Sequence, residues 1–163
     1  MGPDERITDD PRFDGWQRWH HVYRYALAGK YLDRDWTVVD APCGTGYAGR
    51  FLPGHYIGLD RHLEPTIDLE HYQPSFDYDA WLCFEGIEHL NDPTSLIEAA
   101  HRAKHFCAFS VPIYEGAELN PFHTRAWTQD ELRDAVASTD WMTVHEEVQS
   151  DRYFLLFQKR VVR

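Results

Sequence analysis

Three side chains in the run Phe84-Glu-Gly-Ile-Glu-His-Leu90 are spaced to act together, with Glu85, Glu88 and His89 standing at i, i+3 and i+4. Within one helical turn these positions share a face. Two carboxylates and an imidazole on one face repel or compete unless something positive sits between them. Further along, His123-Thr-Arg-Ala-Trp-Thr128 offers another imidazole from a loop expected to cross the same edge of the fold. Besides a cation site, two readings stay open: His89 as a general base on its own, and a packing or capping role for the whole segment.

A second constellation lies upstream. Gly44-Thr-Gly46-Tyr-Ala-Gly49 has the form GxGxxG, whose glycines let a backbone turn sharply and approach a ligand at the carboxyl edge of a strand. That geometry serves a nicotinamide dinucleotide and S-adenosylmethionine equally. The flanks discriminate. Asp40, four residues before the first glycine, suits a ligand carrying an ammonium and a sulfonium and is unhelpful beside a pyrophosphate. Asp60, at the end of the next apolar run, can accept hydrogen bonds from both ribose hydroxyls.

The elements that must position these residues follow from periodicity. Trp16, Trp19, Val22, Tyr23, Ala26 and Leu27 recur at helical steps and predict a helix over residues 13–32, stopped near Gly29. Runs of β-branched and aromatic residues predict strands at 36–39, 55–59, 65–68, 79–84 and 105–111. Two closing strands are predicted at 143–148 and 153–159, turning at Ser150-Asp151. Helices are expected between Pro93 and Lys104, with Thr94 or Asp92 as cap, and after Thr128, where Glu131 completes a capping box. The expected fold class is therefore α/β: one Rossmann-like domain over 13–163, a seven-stranded mostly parallel sheet with an antiparallel C-terminal pair, and helices on both faces. The antiparallel ending separates this pattern from the nucleotide-binding half of a dehydrogenase.

At this point a family resemblance is carried by specific residues. Val38-Val-Asp-Ala-Pro-Cys-Gly-Thr-Gly46 resembles the first motif of class I S-adenosylmethionine-dependent methyltransferases, with Pro42 where many members have glycine. Tyr56-Ile-Gly-Leu-Asp60 resembles their second motif, Asp68-Leu69 the pair flanking the adenine, and Ser110-Val-Pro112 the end of the fifth strand. His20, Arg24 and Tyr25 are similar to polar residues of the helix that precedes the first motif. The resemblance spans roughly residues 20–160. It implies cofactor contacts at Arg24, Asp40, Pro42, Cys43, Gly44, Gly46, Asp60, Arg61, Asp68, Leu69 and Phe84. Two readings stay open for Arg24, a partner of the methionine carboxylate or a helix-surface arginine, and two for Tyr47, a shield over the cofactor or a loop tyrosine. The segment Phe84–Leu90 resembles the Glu-x-x-Glu-His segment of small-RNA 2′-O-methyltransferases and ubiquinone-pathway O-methyltransferases. By that likeness Glu85, Glu88, His89 and His123 are the catalytic group and the ligands of a divalent cation. Two oxygens and two nitrogens fit Mg²⁺ imperfectly and Mn²⁺, Co²⁺, Fe²⁺ or Zn²⁺ comfortably.

Composition narrows the rest. Sixteen Lys and Arg against 27 Asp and Glu give a net charge of −11 over 163 residues, which repels phosphate backbones and disfavours a nucleic-acid footprint. The acceptor expected is a small molecule, with an RNA end as the outside alternative. No stretch approaches the roughly 20 apolar residues of a membrane span. Cys43, Cys83 and Cys107 are an odd number with no zinc spacing, read as reduced thiols of a cytoplasmic protein, monomer or homodimer. Residues 1–12, with Pro3 and Pro11, are expected to be a flexible lead, Lys159 and Arg160 part of a solvated tail, and Glu146-Glu147 a solvated face. Two other functions remain in view: a non-catalytic S-adenosylmethionine-binding partner subunit and a nicotinamide-dependent oxidoreductase.

Overall fold

In this computed structural model the described residues, 15–63 and 67–160, form six strands and three α-helices. The strands are Thr37–Asp40 (β1), His55–Gly58 (β2), Ala80–Phe84 (β3), Phe106–Pro112 (β4), Trp141–Gln149 (β5) and Arg152–Lys159 (β6). They make one sheet in the order β2-β1-β3-β4-β6-β5. β2, β1, β3 and β4 are mutually parallel, while β6 runs antiparallel to both β4 and β5. The expected seventh strand is corrected: Ile67 and Asp68 have no regular structure, and Pro65 lies outside the described residues, as does the 1–12 lead.

Every residue of β3 and β4 is buried, as expected of parallel strands covered on both faces. Alternation along β3 divides the core. Trp81 and Cys83 join the cluster under the helices Thr94–His101 (α2) and Gln129–Val136 (α3), whereas Ala80, Leu82 and Phe84 join the one under Gly15–Gly29 (α1). α3 starts at the anticipated capping box, in which the Thr128 hydroxyl accepts from the Glu131 N–H and the Glu131 carboxylate accepts from the Thr128 N–H. At α2 the side chain of Asp92 accepts from the Thr94 N–H at 3.0 Å.

α1 corrects the sequence reading in a useful way. Trp19 is 55% exposed and stacks on Tyr23, while the inward face carries His20, Arg24, Tyr25 and Ala28. That face packs on the core cluster beneath it and also brings Arg24 to Glu85 and Tyr25 to Asp40, at the ends of β3 and β1. The C-terminal cations are also engaged: Lys159 lies over the Trp141 ring and Arg160 donates to the Trp141 carbonyl. Glu146 and Glu147 are likewise tied in, by Arg133 with Tyr153 and by Tyr23 with His145 respectively.

The topology fixes where a ligand can sit. From β1 the chain moves outward to β2, then returns to β3 on the other side of β1 and continues to β4. The crevice between the ends of β1 and β3 is the switch point at which open α/β sheets bind ligands. The loop 41–46 follows β1 and the segment 85–90 follows β3, so both constellations found in the sequence arrive at that one crevice.

Candidate functional site

Gly44 and Gly46 adopt φ of +59° and +71°, a left-handed backbone that glycine takes without strain. A Cβ placed on either would meet nothing within 4 Å. The loop therefore presents bare backbone to open space at the mouth of the crevice, a cradle into which a ligand fits. Asp60 supports it from below: its carboxylate accepts from the Gly44 N–H and from the His62 N–H, each at 2.9 Å. Asp60 still has unused lone pairs, although it is only 4% exposed.

Asp40 is fully buried beneath the loop. Its carboxylate accepts hydrogen bonds from Tyr25 at 3.0 Å and Tyr56 at 2.7 Å. Burial pushes the Asp40 carboxyl up to about 7, the two tyrosines hold it partly back, and the charge of Asp60 adds to the rise. Asp40 is thus the floor of the loop, and Tyr56, which sequence reasoning noted only within a motif, is one of its two anchors. Cys43 is buried beside it, its thiol pushed up to about 12 by burial and by the charges of Asp40 and Asp60. Pro42, preceded by a cis peptide bond, lies against Gly86, where an added Cβ would come within 2.1 Å of the ring. That contact locks the β1 loop to the β3 segment.

Glu85 is the first residue beyond β3 and carries an uncommon non-glycine φ of +53°. Arg24 Nη2 lies 2.9 Å from its Oε1, Arg152 Nε 3.0 Å from Oε2, and His21 Nε2 3.5 Å from Oε2. Burial opposes its charge, but the Arg24 guanidinium, His21 and Arg152 outweigh it and hold the carboxyl well below the usual range. The Arg24 contact is a charge contact without hydrogen-bond alignment, and Arg24 Nε and Nη1, almost fully buried, find no hydrogen-bond partner among the described residues. The Tyr47 hydroxyl is also buried without one. These donors point to a missing anionic or acceptor group beside the glycine loop.

The expected quartet is corrected at this point, because Glu85 is consumed by its arginines. The other three converge: Glu88, His89 and His123 bring ligand atoms within 4.8 Å of one another. Glu88 is 1% exposed, and neither carboxylate oxygen has a hydrogen-bond partner among the described residues. Burial, with the charge of Glu85 added, raises its carboxyl well above the usual range. His89 Nδ1 lies 3.0 Å from the Phe122 carbonyl oxygen and His123 Nδ1 2.8 Å from that of Glu115. A carbonyl only accepts, so each Nδ1 carries the proton and each Nε2 keeps its lone pair. Metal-ligating imidazoles are commonly oriented in this way. The donor set thus fits a divalent cation: an otherwise unsatisfied buried carboxylate and two pre-oriented imidazoles.

Four further expected cofactor contacts have these surroundings. Phe84 is packed in the core against Tyr25 and Phe154, and Leu69 is buried in the core under α2 and α3. Asp68 is exposed and paired with His71 at 2.8 Å, and Arg61 is exposed with its Nε against His62. The three cysteines are free and buried. Arg152, absent from the sequence reading, is central. It bonds Glu85, Glu115 and Asp151, joining the β3 end to the loop that carries His123. Only its place at the start of an antiparallel strand, which begins at the edge where the parallel strands end, could have flagged it.

Searches of family models and of curated proteins returned no match. Solved structures do match. The N-methyltransferase NodS from Bradyrhizobium japonicum WM9, in complex with S-adenosyl-L-homocysteine, aligns with TM-score 0.65 and 14% identity over 94% of this chain and 93% of its own. A SAM-dependent methyltransferase from Aquifex aeolicus gives 0.64 and 14% over 83% and 88%. Magnesium protoporphyrin IX methyltransferase from Synechocystis PCC 6803, also with bound S-adenosyl-L-homocysteine, gives 0.56 and 10% over 88% and 83%. At such identities the likeness shows a shared fold. This chain has the Rossmann-like fold of S-adenosylmethionine-dependent methyltransferases. Within that fold no helix of the described residues is long and apolar enough to cross a membrane.

Proposed function

We propose that this protein is an S-adenosylmethionine-dependent methyltransferase acting on a hydroxyl of a small molecule, assisted by a divalent cation at Glu88, His89 and His123. The observation that carries the reading is the pair of left-handed glycines, Gly44 and Gly46, opening onto empty space at the switch point of the sheet. The shared fold and the S-adenosyl-L-homocysteine held by NodS and the Synechocystis enzyme support the choice of cofactor.

The cofactor supplies an electrophilic methyl group, and the task left to the chain is alignment and exclusion of water. Gly44 and Gly46 cradle the methionine part, Asp60 accepts from the ribose, and the unpartnered N–H groups of Arg24 meet the methionine carboxylate. Glu85 keeps Arg24 in place, and is assigned to positioning rather than to the cation. A hydroxyl acceptor must lose its proton, and a cation beside it lowers its pKa. Glu88, His89 and His123 are the residues to hold that cation, and Mn²⁺, Fe²⁺, Co²⁺ or Zn²⁺ suits one oxygen and two nitrogens better than Mg²⁺. The net charge of −11 favours a small acceptor over an RNA end.

Calorimetric titration with S-adenosyl-L-homocysteine and with NAD tests the cofactor. Micromolar binding of the first and none of the second is expected; the reverse would make the protein an oxidoreductase. Methyl uptake from labelled S-adenosylmethionine, screened over hydroxylated metabolites with and without Mn²⁺, tests the reaction. Binding without turnover on any acceptor would favour a cofactor-binding partner subunit.

A further inference from the structure

The turn that carries His123 contains a second group aimed at the same imidazole. Asn120 Nδ2 lies 3.0 Å from His123 Nε2. The orientation of this amide is set independently, because Asn120 Oδ1 accepts from the Phe122 N–H at 3.0 Å. Its NH₂ end must therefore face the ring. With the His123 proton on Nδ1, facing the Glu115 carbonyl, Nε2 is the acceptor. The nitrogen needed to complete a cation site with Glu88 and His89 is already engaged by the chain's own amide.

The ring is held from its other side by the Nδ1 bond to the Glu115 carbonyl, and the backbone beside it is anchored. The Thr124 N–H and hydroxyl both donate to the Glu88 carbonyl, at 2.8 and 3.0 Å, and the hydroxyl lies 2.6 Å from the Leu90 carbonyl. His123 is thereby held to the segment that bears Glu88 and His89. What can move is the Asn120 side chain.

We propose that Asn120 is an internal competitor for the cation, a latch on His123 Nε2 that sets how tightly the site takes an ion. This rests on the cation reading above. An ion must displace the Asn120 amide before His123 can ligate it. Mn²⁺, Fe²⁺, Co²⁺ and Zn²⁺ gain enough from an imidazole to do so, whereas Mg²⁺ prefers oxygen and keeps its waters. The amide therefore lowers the affinity of every ion that ligates His123, and it satisfies the imidazole while no ion is bound.

The test uses calorimetric titration of Mn²⁺ and Mg²⁺ into the full chain, wild type and two variants, with ring-nitrogen NMR of His123 in the absence of metal. Asn120→Ala removes the competing donor, and Mn²⁺ affinity is expected to rise about fivefold, or about 1 kcal/mol. Asn120→Asp keeps the acceptor for the Phe122 N–H, so the turn survives. It lacks the donor and adds a charge, and a rise of at least about tenfold is expected. In Asn120→Ala the Mg²⁺ affinity should rise by no more than the Mn²⁺ affinity. The metal-free Nε2 resonance should move in Asn120→Ala as its hydrogen bond is lost. Unchanged or weaker Mn²⁺ binding in both variants, with wild-type binding intact, would overturn the latch alone. Absence of Mn²⁺ binding in wild type and variants alike would overturn the cation reading, and the latch with it.

Discussion

Arg24 Nη2 and Glu85 Oε1 sit 2.9 Å apart, with Arg24 only 1% exposed. The pair joins α1 to the end of β3, and Arg152 joins the same carboxylate to β6. Removing one member of a buried pair strands the other, which costs more than the pair contributes. Glu85→Gln would take the counter-charge from the buried Arg24 and leave Arg152 with only Glu115 and Asp151. The expected loss is about 3 kcal/mol, lowering Tm by roughly 6–12 °C in a chain of this size. Because Glu85 is assigned to the arginines, Mn²⁺ affinity measured by calorimetry below the transition should change less than twofold. A large loss of Mn²⁺ binding would return Glu85 to the ligand set.

Asp40 predicts a pH dependence of stability. Its carboxyl is raised to about 7 in the folded chain from an ordinary value of 3.8. The folded state therefore binds the proton more tightly than the unfolded state. Its contribution is greatest below about pH 4, is lost as pH rises through 7, and is constant above that. Integrated over that window the change is on the order of 4 kcal/mol. Asp40→Asn cannot ionise, so its stability relative to wild type should improve steadily between pH 4 and 8. Urea titrations at several pH values measure this, and a parallel pair of curves would mean that Asp40 is ionised throughout.

Gly46→Ala separates backbone strain from ligand space. The left-handed φ of 71° penalises a Cβ by roughly 1–2 kcal/mol. No neighbouring atom within 4 Å adds a clash, so the variant should fold with a Tm lowered by only a few degrees. Its new methyl projects into the cradle. Affinity for S-adenosyl-L-homocysteine is expected to fall at least tenfold, about 1.4 kcal/mol. Unchanged affinity would place the ligand elsewhere.

Much of this arrangement was legible from spacing. The glycine loop, the capping box at Thr128 and the antiparallel closing pair all depend on local rules. Such rules act within a few residues and survive whatever packs around them. What could not be read depends on contacts far apart in sequence. Glu85 and Glu88 look equivalent as i and i+3 of one run, but the chain does not continue as an α-helix there. A left-handed residue at 85 followed by a short 3-10 turn over Ile87–His89 sends the two carboxylates to different partners. Arg152, 67 residues away, claims the first. Similarly, the apolar spacing in α1 suggested Trp19 for the core, yet the helix turns His20, Arg24 and Tyr25 inward to serve the site. Tertiary demand for buried polar groups overrides amphipathic pattern at a functional edge.

Glu88 carries the last prediction, in which stability and function pull apart. Its carboxylate is buried, lacks a hydrogen-bond partner among the described residues, and is raised well above the usual range by burial and by Glu85. Without a cation it is a burden on the fold, since a buried polar group without a partner costs about 1–3 kcal/mol. By the same sign argument as for Asp40, that burden grows as pH rises through the raised pKa and is absent at low pH. Glu88→Gln keeps the shape and removes the charge. In metal-free buffer at pH 8 it is expected to be more stable than wild type by about 1 kcal/mol, a Tm increase of roughly 2–4 °C. Mn²⁺ should raise the Tm of the wild type and leave the variant where it was, because only the wild type gains binding energy on folding. Paired thermal scans with and without 1 mM EDTA or Mn²⁺, at roughly that concentration, measure both effects. A variant less stable than wild type under metal-free conditions would mean that the Glu88 carboxylate has a partner that offsets its burial.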